Sequence, residues 1–245
     1  MPADMVLVAA GPFRMGLNDA RVDADERRVH IVELSDFYID KYEVTNAQFA
    51  QFIEATGYVT RAEEEGAEER EDGISWRYPE GRQVDMSGRR EHPVVYVSWY
   101  DARAYCAWRG KRLPSEAEWE KSARGMDGRL FPWGKTFAAG RANVWGEEDG
   151  FASTAPVGQF ALGGSPYGVD DMAGNVWEWC EDWYGEEYYS GRPEVDPQGS
   201  VEGRFKVLRG GAWINRWNVV RATNRFKILP VERSGFVGFR CVKTP

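Results

Sequence analysis

The stretch of this chain that most plainly asks for chemistry is Gly174-Asn175-Val176-Trp177-Glu178-Trp179. Two tryptophans flank one carboxylate, directly after a glycine and an amide. Each indole buries a large apolar area and keeps an N–H that needs an acceptor. A glutamate held between them calls for a compensating cation or a network of donors. Just upstream, Tyr167-Gly168-Val169-Asp170-Asp171-Met172-Ala173 adds further carboxylates on a glycine-bearing backbone. Carboxylates and free carbonyls on a folded loop are how hard cations such as Ca2+ are held. Period-two alternation also permits a plain strand, with Trp177 and Trp179 on the core face and Glu178 in water.

Other chemistries have less to work with. The 3 cysteines, Cys106, Cys180 and Cys241, are too few and too scattered for a zinc site or a disulfide scaffold. With only His30 and His92, catalysis needing several imidazoles is close to excluded. A formal charge of -8 with no basic stripe argues against nucleic acid as a partner. No apolar run is long enough to span a bilayer, and the start lacks the basic and apolar regions of a signal peptide. The chain as given is expected to be soluble, in the cytoplasm or carried on a cell or virus surface by other factors.

The 27 Gly and 12 Pro among 245 residues indicate turns and irregular loops rather than long helices. Met5-Val6-Leu7-Val8, Gly11 to Gly16, His30 to Leu34 and Phe37 to Ile39 read as short strands. Three helices are predicted from capping boxes: one from Thr45 to Gly57, one from Ser98 to Gly110, one from Ser115 to Gly125. Residues 61–92 are acidic and read as a solvated loop that Trp76 and Tyr78 pin to the body. No repeat or linker divides the chain, so residues 1–245 are expected to form a single α+β domain.

Several motifs together resemble one family. His92-Pro93-Val94-Val95-Tyr96-Val97-Ser98-Trp99 leads to Ala104-Tyr105-Cys106-Ala107-Trp108, then to Arg112-Leu113-Pro114-Ser115-Glu116-Ala117-Glu118-Trp119-Glu120. Gly174 to Trp179, Leu208-Arg209-Gly210-Gly211-Ala212-Trp213 and Gly238-Phe239-Arg240-Cys241 follow in order. The set is similar to the formylglycine-generating enzyme (sulfatase-modifying factor) family, a branch of the C-type lectin fold, over nearly the whole chain. The resemblance implies few helices, short antiparallel strands and much irregular loop. It also implies two structural calcium sites, one at Asn143, Val144, Asp149 and Phe151, the other at Asp171, Gly174, Val176 and Glu178. Cys106 and Cys241 match a structural pair of some relatives.

The resemblance fails where the oxidase members hold copper. They use two closely spaced cysteines shortly after the Gly-Gly motif, and here Trp213-Ile214-Asn215-Arg216-Trp217-Asn218-Val219-Val220-Arg221 contains none. Soft Cu(I) is not held by Asn and Arg. The frame from Arg209 to Arg240 is similar instead to the variable region of diversity-generating retroelement proteins, which display randomised residues on this fold. Ten positions, Ile214, Arg216, Val219, Phe226, Ile228, Leu229, Val231, Ser234, Gly235 and Phe236, hold types reachable from an AAC or AAT codon by changing its first two bases. Trp217, Lys227 and Glu232 do not. Phe226-Lys227-Ile228-Leu229 has no clean period and is expected as an irregular surface segment. The opposing reading places Ile214, Ile228 and Phe236 in an ordinary core.

The expectation is a non-catalytic, calcium-stabilised display protein that binds a protein or other macromolecular ligand through these residues. The alternative is a formylglycine-generating-enzyme-like oxidoreductase or modifying factor acting on a peptide cysteine; a third is an accessory domain.

Overall fold

The computed structural model describes residues 4–20, 22–66, 73–81, 86–146, 149–186, 188 and 194–245. The helices begin where side chains can satisfy the free N–H groups of a first turn. In α1 (Asn46–Thr56) the Thr45 hydroxyl accepts from Gln48 N and the Gln48 side chain from Thr45 N, while Gly57 closes the end at φ 65°. The single turn α2 (Arg61–Glu64) repeats the device with Thr60 and Glu63. The same reciprocal pair opens α3 (Trp99–Trp108) at Ser98 and Asp101, and α4 (Glu116–Arg124) at Ser115 and Glu118. The acidic stretch after Thr60 is therefore not wholly loop: its first turn is helical, and Met86–Arg89 forms a 3-10 turn. Trp76 is buried against Phe49, so it does pin this segment.

Among the described residues ten short strands form three sheets. β1 (Met5–Val8), β4 (Phe37–Asp40) and β10 (Val242–Lys243) make one, ordered β1-β4-β10. A second contains β2 (Gly11–Met15), β3 (His30–Leu34) and β6 (Glu194–Val195). The third, which positions the site, is ordered β8-β7-β5-β9 and comprises β5 (Trp177–Trp183), β7 (Lys206–Arg209), β8 (Arg225–Ile228) and β9 (Val237–Gly238). Most pairs are antiparallel; β3 with β6 and β5 with β9 run parallel. Strand β8 corrects an expectation. Phe226, Lys227 and Ile228 pair with Leu208, Val207 and Lys206 at the sheet's edge, and read from Arg225 the run Arg-Phe-Lys-Ile alternates with the period of a strand.

One apolar cluster joins α1 and α3 to the third sheet through Phe49, Phe52, Tyr105, Trp177, Trp179 and Phe239. Another joins the second sheet to α4 through Phe13, Met15, Val32 and Trp119. Cys106 on α3 and Cys241 before β10 are disulfide-bonded across 135 residues of chain, with Cα atoms 5.7 Å apart. Cross-linking so long a loop removes much of the unfolded chain's freedom. Cys106→Ala is expected to lower unfolding free energy by about 2–5 kcal/mol, read as a lower urea midpoint against the oxidised parent.

Candidate functional site

Glu178 lies in β5 with 0% exposure. Its carboxylate accepts from Arg240 Nε at 2.7 Å and Nη2 at 2.8 Å, and from Trp119 Nε1 at 2.8 Å. The remaining Arg240 N–H groups donate to the carbonyls of Asp40, Lys41 and Asp170. Glu178 therefore does not face water, as simple alternation would allow. Its counter-charge is a guanidinium 62 residues further along the chain, in the fork geometry that makes such pairs strong.

The first expected calcium set sits on one turn. Asp149 Oδ2 accepts from Val144 N at 3.2 Å and Oδ1 from Phe151 N at 3.0 Å. Buried Asn143 is held by Nδ2 donating to Ser153 O and Asn175 Oδ1. In the second set, Gly174 adopts φ 80°, and a Cβ there would meet Asn143 O at 2.3 Å, so the two sets touch. Asp171, at φ 59°, accepts from Gly158 N at 2.6 Å. Burial pushes its carboxyl up to about 6; Asp170 and Glu178 add to this, while the Gly158 N–H and Arg240 oppose it.

Beside them is Glu43, which sequence reasoning missed. It is 1% exposed; Oε2 accepts from Asn175 Nδ2 at 2.6 Å, and Oε1 is buried with no partner among the described residues. Burial, then Asp171 and Glu178, hold its carboxyl well above the usual range. Three buried carboxylates thus share the field of one guanidinium. Among the described residues no three Asp, Glu, His or Cys side chains converge as a metal cluster. A cation here would draw on oxygen donors alone, carboxylates and backbone carbonyls.

The contact segment has two faces. None of its ten named positions is buried. Ile214 is 37% exposed, Trp217 52% and Phe226 41%. Arg216 and Glu232 are also exposed. The Arg216 guanidinium lies 4.6 Å from the ring centre of exposed Trp145, and Trp217 is 5.9 Å from Phe137. Phe226 covers Trp177 at 5.2 Å between ring centres. Ile228, Phe236 and Val219 are half-buried and pack on the core, so the core reading holds in part for the first two and not for Ile214. Leu229, Val231, Ser234 and Gly235 are also half-buried. Lys227 points the other way, 3.9 Å over the Tyr184 ring, and leaves the Phe226 face. Glu232 Oε2 accepts from Leu229 N and ties the turn after β8. Trp145 and Phe137 carried no signal in sequence because both lie outside the segment.

The model of the sulfatase-modifying factor enzyme 1-like domain matches residues 1–245. The chain belongs to this family. It is 41% identical to the formylglycine-generating enzyme of Streptomyces coelicolor, with 96% of this chain and 88% of that protein aligned. Among solved structures, PvdO from Pseudomonas aeruginosa aligns with TM-score 0.77 and 31% identity over 97% of this chain and 93% of that one. Treponema denticola variable protein 1 aligns with TM-score 0.73 and 23% identity, covering 98% and 95% of the two chains, a likeness of fold alone. The architecture is the C-type lectin fold of the sulfatase-modifying factor family.

Within this family member the sulfur chemistry is accounted for residue by residue. Cys106 and Cys241 are bonded, and Cys180 is wholly buried. Burial, with Asp182 and Glu116 nearby, pushes its thiol well above its ordinary value, away from a reactive thiolate. At the head of the cysteine-free stretch Asn215 builds a turn: Oδ1 accepts from Ala212 N at 3.0 Å, and the Asn215 carbonyl from Trp145 N at 2.9 Å.

The raised Asp171 carboxyl makes stability depend on pH. The native state holds the proton up to about 6, whereas the unfolded chain releases it near 3.8. Stability is greatest below the lower value and falls as pH rises through the upper one, by at most about 3 kcal/mol. In chelator, Asp171→Asn is expected to flatten that fall, measured as urea midpoints between about pH 4 and about pH 7.

Proposed function

We propose that the chain is a non-catalytic, ligand-binding member of its family that presents residues 214–236 to a protein or other macromolecular partner, on a calcium-stabilised scaffold. The observation that carries this reading is the pairing of exposed Ile214, Trp217 and Phe226 with the absence of any cysteine from 213–221. Exposed aromatics beside Arg216 are the residue types that anchor interfaces. The restricted set of residue types in this segment supports kinship with retroelement-diversified variable proteins. A reverse transcriptase gene with a near-identical template repeat beside this gene is the expected finding, and its absence removes diversification from the proposal.

Peptides selected from a random display library on the immobilised protein test the contact face. Phe226→Ala is expected to weaken retained peptides at least tenfold while costing stability only about 1 kcal/mol, the scale of one partly exposed aromatic pair. Unchanged binding would remove Phe226 from the interface. Phe236→Ala, which uncovers core, should cost more stability.

For calcium, Asn143, Val144, Asp149 and Phe151 would hold one ion, and Asp171, Gly174, Val176 and Glu178 a second. The crowding of buried carboxylates around one guanidinium, and the Glu43 oxygen without a partner among the described residues, support this. The ions would supply cross-linking of loops short of backbone pairing. A chelator is expected to lower the melting temperature and added Ca2+ to restore it; elemental analysis finding no calcium, with no such shift, counts against it.

The second reading is an oxidoreductase or modifying factor acting on a peptide cysteine, favoured by the 41% identity to a protein named formylglycine-generating enzyme. It needs copper and a free thiol. Failure to bind Cu(I) in titration and to oxidise a cysteine peptide is the outcome expected here.

A further inference from the structure

The two expected ion sites are joined by a residue that belongs to neither set. Asn175 stands between Gly174 and Val176, whose carbonyls are expected in the second set. It is 2% exposed, and its φ of 58° is a left-handed conformation that asparagine tolerates better than most residues. Its side chain reaches the first set instead. Oδ1 accepts from Asn143 Nδ2 at 3.2 Å and from Ala155 N at 2.8 Å. The Asn175 backbone N–H donates to Asn143 O at 3.0 Å.

These bonds settle which atom the Asn143 side chain can offer. Only the oxygen of an amide can hold a cation, because its nitrogen carries donors alone. Asn143 Nδ2 gives one N–H to Asn175 Oδ1 and the other to Ser153 O at 2.8 Å. A flipped amide would turn an oxygen toward two oxygens and lose both bonds. Asn143 Oδ1 is the atom left over, and nothing among the described residues donates to it.

The Asn175 amide is fixed in its turn. The Ala155 N–H requires an oxygen opposite it, and Asn175 Nδ2 donates to Glu43 Oε2 at 2.6 Å and Ala155 O at 3.4 Å. A chain of bonds thus runs from Glu43 through Asn175 to Asn143, and all three residues are buried. The two stretches of backbone also touch, since a Cβ on Gly174 would sit 2.3 Å from Asn143 O. Packed this closely, the Asn143 amide and the Gly174 and Val176 carbonyls cannot be placed independently.

We infer that Asn175 is a positioning residue that couples the two calcium sites, so that filling one raises the affinity of the other. This rests on the reading of both sets as calcium sites and adds how they fill. Once its oxygen is engaged, Asn143 is held still, and its bonds to Asn175 order the backbone from which Gly174 and Val176 offer their carbonyls. Linkage makes the effect equal in the reverse direction.

The test is a titration of Ca2+ into the whole chain, freed of metal by chelator and dialysis, with bound ion read by calorimetry. The parent is expected to take up two ions with a Hill slope above one, which independent sites cannot give. Asn175→Gly suits φ 58° and removes only the amide. It is expected to bring the slope to one or below and to weaken the mean affinity at least about fivefold. If that variant does not fold, the slope of the parent decides alone. A single ion, two ions with a slope of one or less, or a slope unchanged in Asn175→Gly overturns the coupling and leaves calcium binding standing. No calcium bound by the parent removes the calcium reading and the coupling with it.

Discussion

The fork between Glu178 and Arg240 holds the domain's parts in register. The two residues are fully buried, and neither could be tolerated alone in such a place. Through them β5 is tied to the segment before β10, to α4 through the Trp119 indole, and to the backbone at Asp40, Lys41 and Asp170. Irregular loops with little strand pairing are thereby fixed by one guanidinium with every N–H engaged. The cost of taking two ions out of water is offset only by that completeness.

A second buried network supports the other side of the sheet. Glu116 and Glu120 on α4 face Arg209 of β7, Arg225 of β8 and Arg124. Arg209 also caps the carbonyls of Ala222, Thr223 and Asn224, so the chain entering β8 is shaped from beneath. The edge strand therefore owes its position to ion pairs under it. On the opposite face Phe226 covers Trp177 and still leaves part of its ring in solvent, where a partner can meet it.

Local features were legible in the sequence, and distant pairings were not. The reciprocal caps at Thr45, Ser98 and Ser115 involve residues three apart, so the helix starts could be read directly. The oddity of Glu178 was visible from its neighbours, but the identity of its partner depended on how Arg240 returns across the fold. Strand β8 is hidden when the run is read from Phe226 to Leu229, because its alternation starts at Arg225 and covers only four residues. Glu43 looks ordinary in a list of residues; its interest comes from one buried oxygen without a partner among the described residues.

Strand β8 has one further consequence. Successive residues there answer to opposite demands: Arg225 is locked beneath the sheet, while Phe226 stands over Trp177 in reach of solvent. A lineage that drifts at the outward position changes what the molecule touches and keeps its shape. Drift one residue earlier leaves buried Glu116 and nearby Asp25 short of a counter-charge and breaks the scaffold. Evolvability and brittleness are thus interleaved along a single short ribbon, and the pleat decides which codon carries which.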